Sequence, residues 1–179
     1  VYTLPAATRR SLSFLYTDPT LLSAYTAHFV HFTPGHLIAN LLAYAVLVSV
    51  CYALALLADR RLFFGTAAVA VLLVFPPLLS FLNLAIPRYA VSFGASALNM
   101  ALLGLLPLLL VSYARRRLSL SVPLRAAPVA FFGLLAWMVL LALPLSPVAL
   151  ALAAAAAGGA LLYVYSLPDG QLPGPRETV

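Results

Sequence analysis

Residues 33–57 read TPGHLIANLLAYAVLVSVCYALALL, with no Asp, Glu, Lys or Arg. A helix that crosses a hydrocarbon core of about 30 Å needs about 20 apolar residues, and this stretch supplies them. Thr33 is placed to cap the helix start, and Pro34 to fill its first position. Working outward, the stretches free of charge run from Pro19 to Ala58, Leu62 to Pro87, Tyr89 to Ala114 and Ala126 to Pro168. The last is long enough for two spans, and Leu143-Pro144-Leu145-Ser146-Pro147 supplies the break, because each proline disfavours continued helix. The front of the first stretch, Pro19 to Gly35, holds Thr20, Thr26, Thr33, His28 and His31, and reads as an interfacial, partly buried loop. The chain is therefore expected to be an all-α polytopic membrane protein with five spans, at about 34–57, 65–86, 94–113, 127–143 and 147–166. Residues 1–33 form an outer interfacial segment, 34–166 the transmembrane domain, and 167–179 a polar tail.

Composition excludes the alternatives. Of 179 residues, 64% are hydrophobic and only 8% charged, and the mean hydropathy is +1.07. Soluble domains carry about 25% charged residues, so a water-soluble globule is excluded, and disorder needs the reverse balance. The formal charge of +6 comes from ten arginines and no lysine. A basic balance can signal nucleic acid, but these arginines stand in short clusters between apolar runs, as in a multi-pass membrane protein. Arg60, Arg61, Arg115, Arg116, Arg117, Arg125 and Arg176 follow the odd-numbered spans; Arg9, Arg10 and Arg88 lie on the other side. The richer side is expected to be cytoplasmic, which puts the C-terminus inside. It also puts Pro19–Gly35 and Pro87–Phe93 outside. Cys51, the single cysteine, permits no internal disulfide. The absence of lysine fits a GC-rich coding sequence and a prokaryotic plasma membrane. The chain opens on Val1 rather than Met, so a preceding segment is expected.

Polar groups inside spans are costly, so they direct the search for function. His28, His31, His36 and Asn40 cluster at the outer start of the first span, with His36 and Asn40 one helical turn apart. These residues can be interfacial histidines with Asn40 as interhelical glue, or a metal or haem site, since histidine is a common ligand. No Cys, Asp or Glu accompanies the histidines in these helix starts. The second cluster is Gly94-Ala95-Ser96-Ala97-Leu98-Asn99-Met100-Ala101-Leu102-Leu103-Gly104. Gly94 permits unusual backbone geometry just ahead of Ser96. Ala97, Ala101 and Gly104 form a small-residue stripe, for which Ala153–Ala157, Gly158, Gly159 and Ala160 are the expected partner. Alone, a Gly-x-Ser is weak, and a membrane serine commonly bonds to its own backbone.

Together the two clusters are specific. His31-x4-His36-x3-Asn40 at an outer helix start, followed one span later by Gly94-x-Ser96, resembles the rhomboid family of intramembrane serine proteases. AHFVHFTPGHLIANLLAYAVL looks like that family's second transmembrane helix and GASALNMALLG like its fourth. The likeness extends from about Ser11 to Tyr165 and implies a rhomboid-like helical bundle. The five spans then correspond to helices two to six of a six-helix core, the first lying ahead of Val1. The resemblance implies that Ser96 is the nucleophile, that His36 and Asn40 with the serine amide stabilise an oxyanion, and that His31 and Gly94 support them. Such chemistry needs a base for the weak nucleophile and preorganised donors for the developing charge. No cofactor and no metal are implied. The expected partners are transmembrane segments of other proteins and the lipid bilayer, not nucleic acid.

The departures are equally specific. The family's general base is a histidine on the sixth helix, three residues before a glycine. Here Ala155 or Ala156 stands there, and no histidine follows His36. Ala97 and Met100 also replace the usual glycine and aromatic residue. In a serine protease, loss of the base alone costs on the order of 10⁶ in turnover. The chain is thus expected to have lost or weakened its proteolysis and to bind transmembrane partners. The alternative is an active serine endopeptidase using Ser96 with another base, for which His36 is the nearest candidate. A third possibility, a small carrier or metal-binding membrane protein, would need a charged intramembrane residue or a repeat, and neither is visible.

Overall fold

The computed structural model describes residues 1–86, 90–120, 123–142 and 146–166. It is mostly helical. The helices are α1 (Ala6–Ser11), α2 (Leu21–Thr26), α3 (Pro34–Leu57), α4 (Arg61–Leu73), α5 (Phe75–Leu82), α6 (Ser96–Arg117), α7 (Ala127–Ala142) and α8 (Pro147–Ser166). Two short strands, β1 (Phe14–Leu15) and β2 (Val91–Ser92), pair antiparallel with Phe14 opposite Ser92 and Leu15 opposite Val91. The chain divides into two compact units, Val1–Tyr52 with Arg61–Leu103, and Ala53–Arg60 with Gly104–Val179.

Three helices are long and apolar enough to cross a membrane: α3, α6 and α8, of 24, 22 and 20 residues. Their bounds match the expected first, third and fifth spans to within four residues at each end. α3 and α8 expose apolar residues over most of their surface, and only 11% of the α3 window and 17% of the α8 window is buried within the protein, against 44% for α6. Such surfaces need an apolar surround. The expected second span is two helices instead of one. α4 and α5 together are apolar enough to cross but are bent by 51° at their junction. Pro76 and Pro77, in the first turn of α5, are the cause. Neither can donate to a carbonyl one turn back, so the α4 ladder cannot run on through them. The fourth is α7, with 16 residues, shorter than a full span. The proposed break at Leu143–Leu145, Arg88 with the start of its loop, and the tail from 167 lie outside the described residues.

Residues 1–33 are more ordered than a loop reading implies. Thr20 opens α2 with a reciprocal cap: its Oγ1 accepts from the Ser23 amide at 3.1 Å, and its own amide donates to Ser23 Oγ at 3.3 Å. Phe14, Ala24 and Ala27 form a buried cluster with Tyr16 and Leu84 packed on it. Phe14 meets Tyr16 and Phe81 edge-on, at ring separations of 5.4 and 6.0 Å. A second cluster in the same unit, Val71, Leu98 and Leu102, gathers Phe29, Tyr44, Leu47 and Phe75 around it. The second cluster joins the first turns of α6 to the middle of α3 and to α4 and α5.

In the second unit, α7 packs on α8, and Gly159 lies under the Phe132 ring. Ala149, Ala153 and Ala156 make the buried stripe of α8, whereas Ala155 is exposed.

Candidate functional site

The polar site lies within the first unit, where the start of α3 meets the start of α6. Thr33 caps α3 as the sequence predicts: its carbonyl accepts from the Leu37 amide at 3.2 Å and its Oγ1 from the His36 amide at 3.3 Å. This cap fixes the first turn and with it the direction of His36. The approach to α6 is fixed from the other side. β2 pairs with β1, and the Gly94 amide then donates to the Ala27 carbonyl at 2.9 Å. Gly94 takes φ +97°, in the left-handed region. A Cβ there would lie 2.7 Å from His36 Cε1 and 3.0 Å from its Nε2. The glycine is therefore required twice, for backbone conformation and for the close approach of the imidazole.

Ser96 is the first residue of α6, two residues beyond that contact. It is exposed, and its hydroxyl bonds to no described residue. As the opening turn of a helix, Ser96, Ala97 and Leu98 present amides with no carbonyl partner within α6. The positive end of the helix dipole points the same way. The partly exposed His36 ring beside Gly94 adds a further donor or acceptor. Together these groups can receive an anionic oxygen.

Asn40 is differently engaged. Its Nδ2 donates to the His36 carbonyl at 2.9 Å, and its carbonyl and Oδ1 accept from Asn99 Nδ2 at 3.2 and 3.3 Å. Both asparagines are buried, so this pair ties α3 to α6, as interhelical glue would.

The other two histidines do not serve Ser96. His31 is 3% exposed, and neither of its buried ring nitrogens makes a hydrogen bond of good geometry among the described residues. It meets the His36 ring edge-on at 5.0 Å. Burial, and after it the neighbouring His36, push the His31 imidazole below its ordinary value, the Phe29 backbone opposing. His28 Nε2 lies 3.0 Å from both the Pro76 carbonyl and Ser80 Oγ. A carbonyl can only accept, so Nε2 carries the proton. Ser80 in turn gives its own proton to the Ala24 carbonyl at 2.8 Å. The Ser80–His28 contact therefore has the histidine as donor, the reverse of a base that activates a serine. Burial lowers the His28 pKa, partly opposed by its bond to Pro76.

No three residues among His, Cys, Asp and Glu converge as metal ligands among the described residues. Two participants escaped the sequence reading. Ser80 is the single serine of the charge-free stretch 62–87, and that isolation was the available signal. Arg9, read only as an outer charge, donates from Nη1 to the His31 carbonyl at 2.6 Å and lies between the Tyr2 and Phe32 rings, 5.2 and 5.3 Å from their centres. Nothing in its local sequence announces that pairing.

Compared with family models, curated proteins and solved structures, the chain matches none.

Proposed function

We propose that this chain is a multi-pass membrane protein with a rhomboid-like bundle that has lost its proteolysis and holds transmembrane segments of other proteins. On this reading, the site around Ser96, His36, Asn40, His31 and Gly94 descends from an intramembrane serine protease. The C-terminus is cytoplasmic, the membrane is a prokaryotic plasma membrane, and α7 counts as the fifth helix of the family core. The observation that carries the reading is the contact of His36 with Gly94. Two motifs more than fifty residues apart in sequence converge, and they are the two on which the resemblance rests. What argues against turnover is equally concrete: neither His28, His31 nor His36 bonds to Ser96, and the expected base positions are Ala155 and Ala156.

The test is cleavage of a reporter transmembrane substrate in proteoliposomes, run with the full-length protein beside Ser96→Ala. The expected result is equal background in both, together with saturable energy transfer between the labelled protein and a labelled transmembrane peptide. Cleavage that disappears in Ser96→Ala would establish the alternative, an active serine endopeptidase with another base. Energy transfer no greater than with an unrelated membrane protein would remove the partner-binding role.

A further inference from the structure

A second polar feature lies in the other unit, independent of the reading above. α3 ends in a left-handed turn. Asp59 takes φ +56°, its amide donates to the Leu56 carbonyl at 3.2 Å, and the Arg60 amide reaches back to the Ala55 carbonyl at 2.7 Å. This 6→1 and 5→2 pair is the Schellman stop, with Asp59 at the position glycine commonly holds. The turn projects Asp59 and Arg60 beside the last turn of α6. Between them is an open cleft of about 450 Å³ lined by Asp59, Arg60, Ser112, Arg115, Arg116 and Leu124.

Three guanidinium groups thus face one carboxylate. Asp59 Oδ2 accepts from Arg116 Nε at 2.9 Å, which orients that guanidinium and leaves its terminal nitrogens without a partner among the described residues. Arg117 is turned away, its Nε donating to the Leu57 carbonyl at 2.8 Å. The Arg60 and Arg115 side chains make no hydrogen bond or ion pair with a described residue. An excess of guanidinium forks suits a phosphate, which they can bind through paired N–H···O contacts. The cleft also stands where two membrane-length helices end, the depth at which phospholipid phosphates lie. Leu108 and Leu110, about one turn back along α6, are exposed and give acyl chains an apolar surface.

We propose that this cleft binds an anionic phosphate group, carried by a phospholipid headgroup or free in solution. The purified full-length protein in neutral detergent is titrated with short-chain phosphatidylglycerol, with short-chain phosphatidylcholine, and with inorganic phosphate, and adducts are read by native mass spectrometry. Phosphatidylglycerol is expected to bind in preference to phosphatidylcholine. Arg115→Gln/Arg116→Gln is expected to weaken it by about tenfold or more, as the loss of two interfacial arginines predicts. Arg10→Gln/Arg88→Gln removes the same charge from the side that the arginine distribution in the sequence sets opposite, and is expected to leave binding unchanged. If inorganic phosphate does not compete, the source is the lipid. If it competes at comparable concentration, the source is a soluble phosphate and the site still stands. Equal binding of both lipids, or equal loss in both double variants, overturns the proposal.

Discussion

Gly94 is the residue whose replacement most directly tests the site. Its φ of +97° strains any L side chain, and a methyl there would strike the His36 ring at 2.7 Å. Gly94→Ala is expected to destabilise the protein by about 1–3 kcal/mol, seen as a lower midpoint of thermal unfolding in detergent. Gly104 is the control, since nothing lies within 4 Å of its absent Cβ and its backbone is helical. Gly104→Ala is expected to be neutral or to stabilise by up to about 1 kcal/mol. Similar losses in both variants would mean that His36 does not press on Gly94. The two buried histidines carry a pH signature of their own. His28 and His31 both have folded-state pKa values lowered below the ordinary 6.5. The unfolded chain therefore takes up protons first as pH falls. Stability is full above about 6.5 and declines as pH drops from there toward the folded-state values. Unfolding midpoints followed between pH 7.5 and 5 should fall, and His28→Gln should flatten the slope. An unchanged slope in that variant would exclude His28 as a source.

Among the elements, the join between the N-terminal segment and α5 rests on a chain of polar bonds inside an apolar surround. His28 donates to Pro76 and Ser80, and Ser80 donates to Ala24. A carbonyl oxygen has two lone pairs, so Pro76 can accept from His28 in addition to its place in the α5 helix ladder. Removing one partner leaves a buried group unsatisfied, so Ser80→Ala is expected to cost about 1–3 kcal/mol. The two residues should also be coupled. A double-mutant cycle of His28→Ala and Ser80→Ala should return about 1 kcal/mol of interaction energy in detergent unfolding. Strict additivity would show that the two side chains stabilise independently.

The molecule as a whole is organised for an apolar solvent. α3 exposes Leu41, Leu42 and Val46, and α8 exposes Leu161, Leu162 and Tyr165. Polar clusters lie at the helix starts of one unit and at the arginine-rich helix ends of the other. At this scale the functional proposal turns on a missing histidine. Of the two alanines that stand in its place, Ala156 is on the buried stripe of α8 and Ala155 is exposed. On the proposed rhomboid-like reading, a histidine restored at Ala155 or at Ala156 is expected to raise reporter cleavage in proteoliposomes above the unmodified protein. A Ser96-dependent gain of about tenfold or more would be consistent with restoring a general base. No gain from either alanine, in protein that unfolds at the normal temperature, would argue that the site has diverged beyond its base.

Much of this protein is legible in its sequence. Helical length and lipid compatibility follow from local composition, because a bilayer demands a fixed run of apolar residues whatever their neighbours do. That is why α3, α6 and α8 fall where the charge-free stretches put them, and why Thr33 caps α3 as its position suggests. The histidine, asparagine and serine positions were visible for the same reason, as polar residues in apolar surroundings. Their partners were not. Asn40 bonds to Asn99, His28 to Ser80 and Arg9 to the backbone of His31, and each pairing joins elements that the sequence separates. The prolines of α5 bend a run that hydropathy alone treats as one span. Composition determines which residues must leave water, whereas hydrogen bonds are directional and close only once the helices have packed. The tertiary structure therefore decided that His28 is a donor, that Asn40 is glue, and that His36 rests on Gly94.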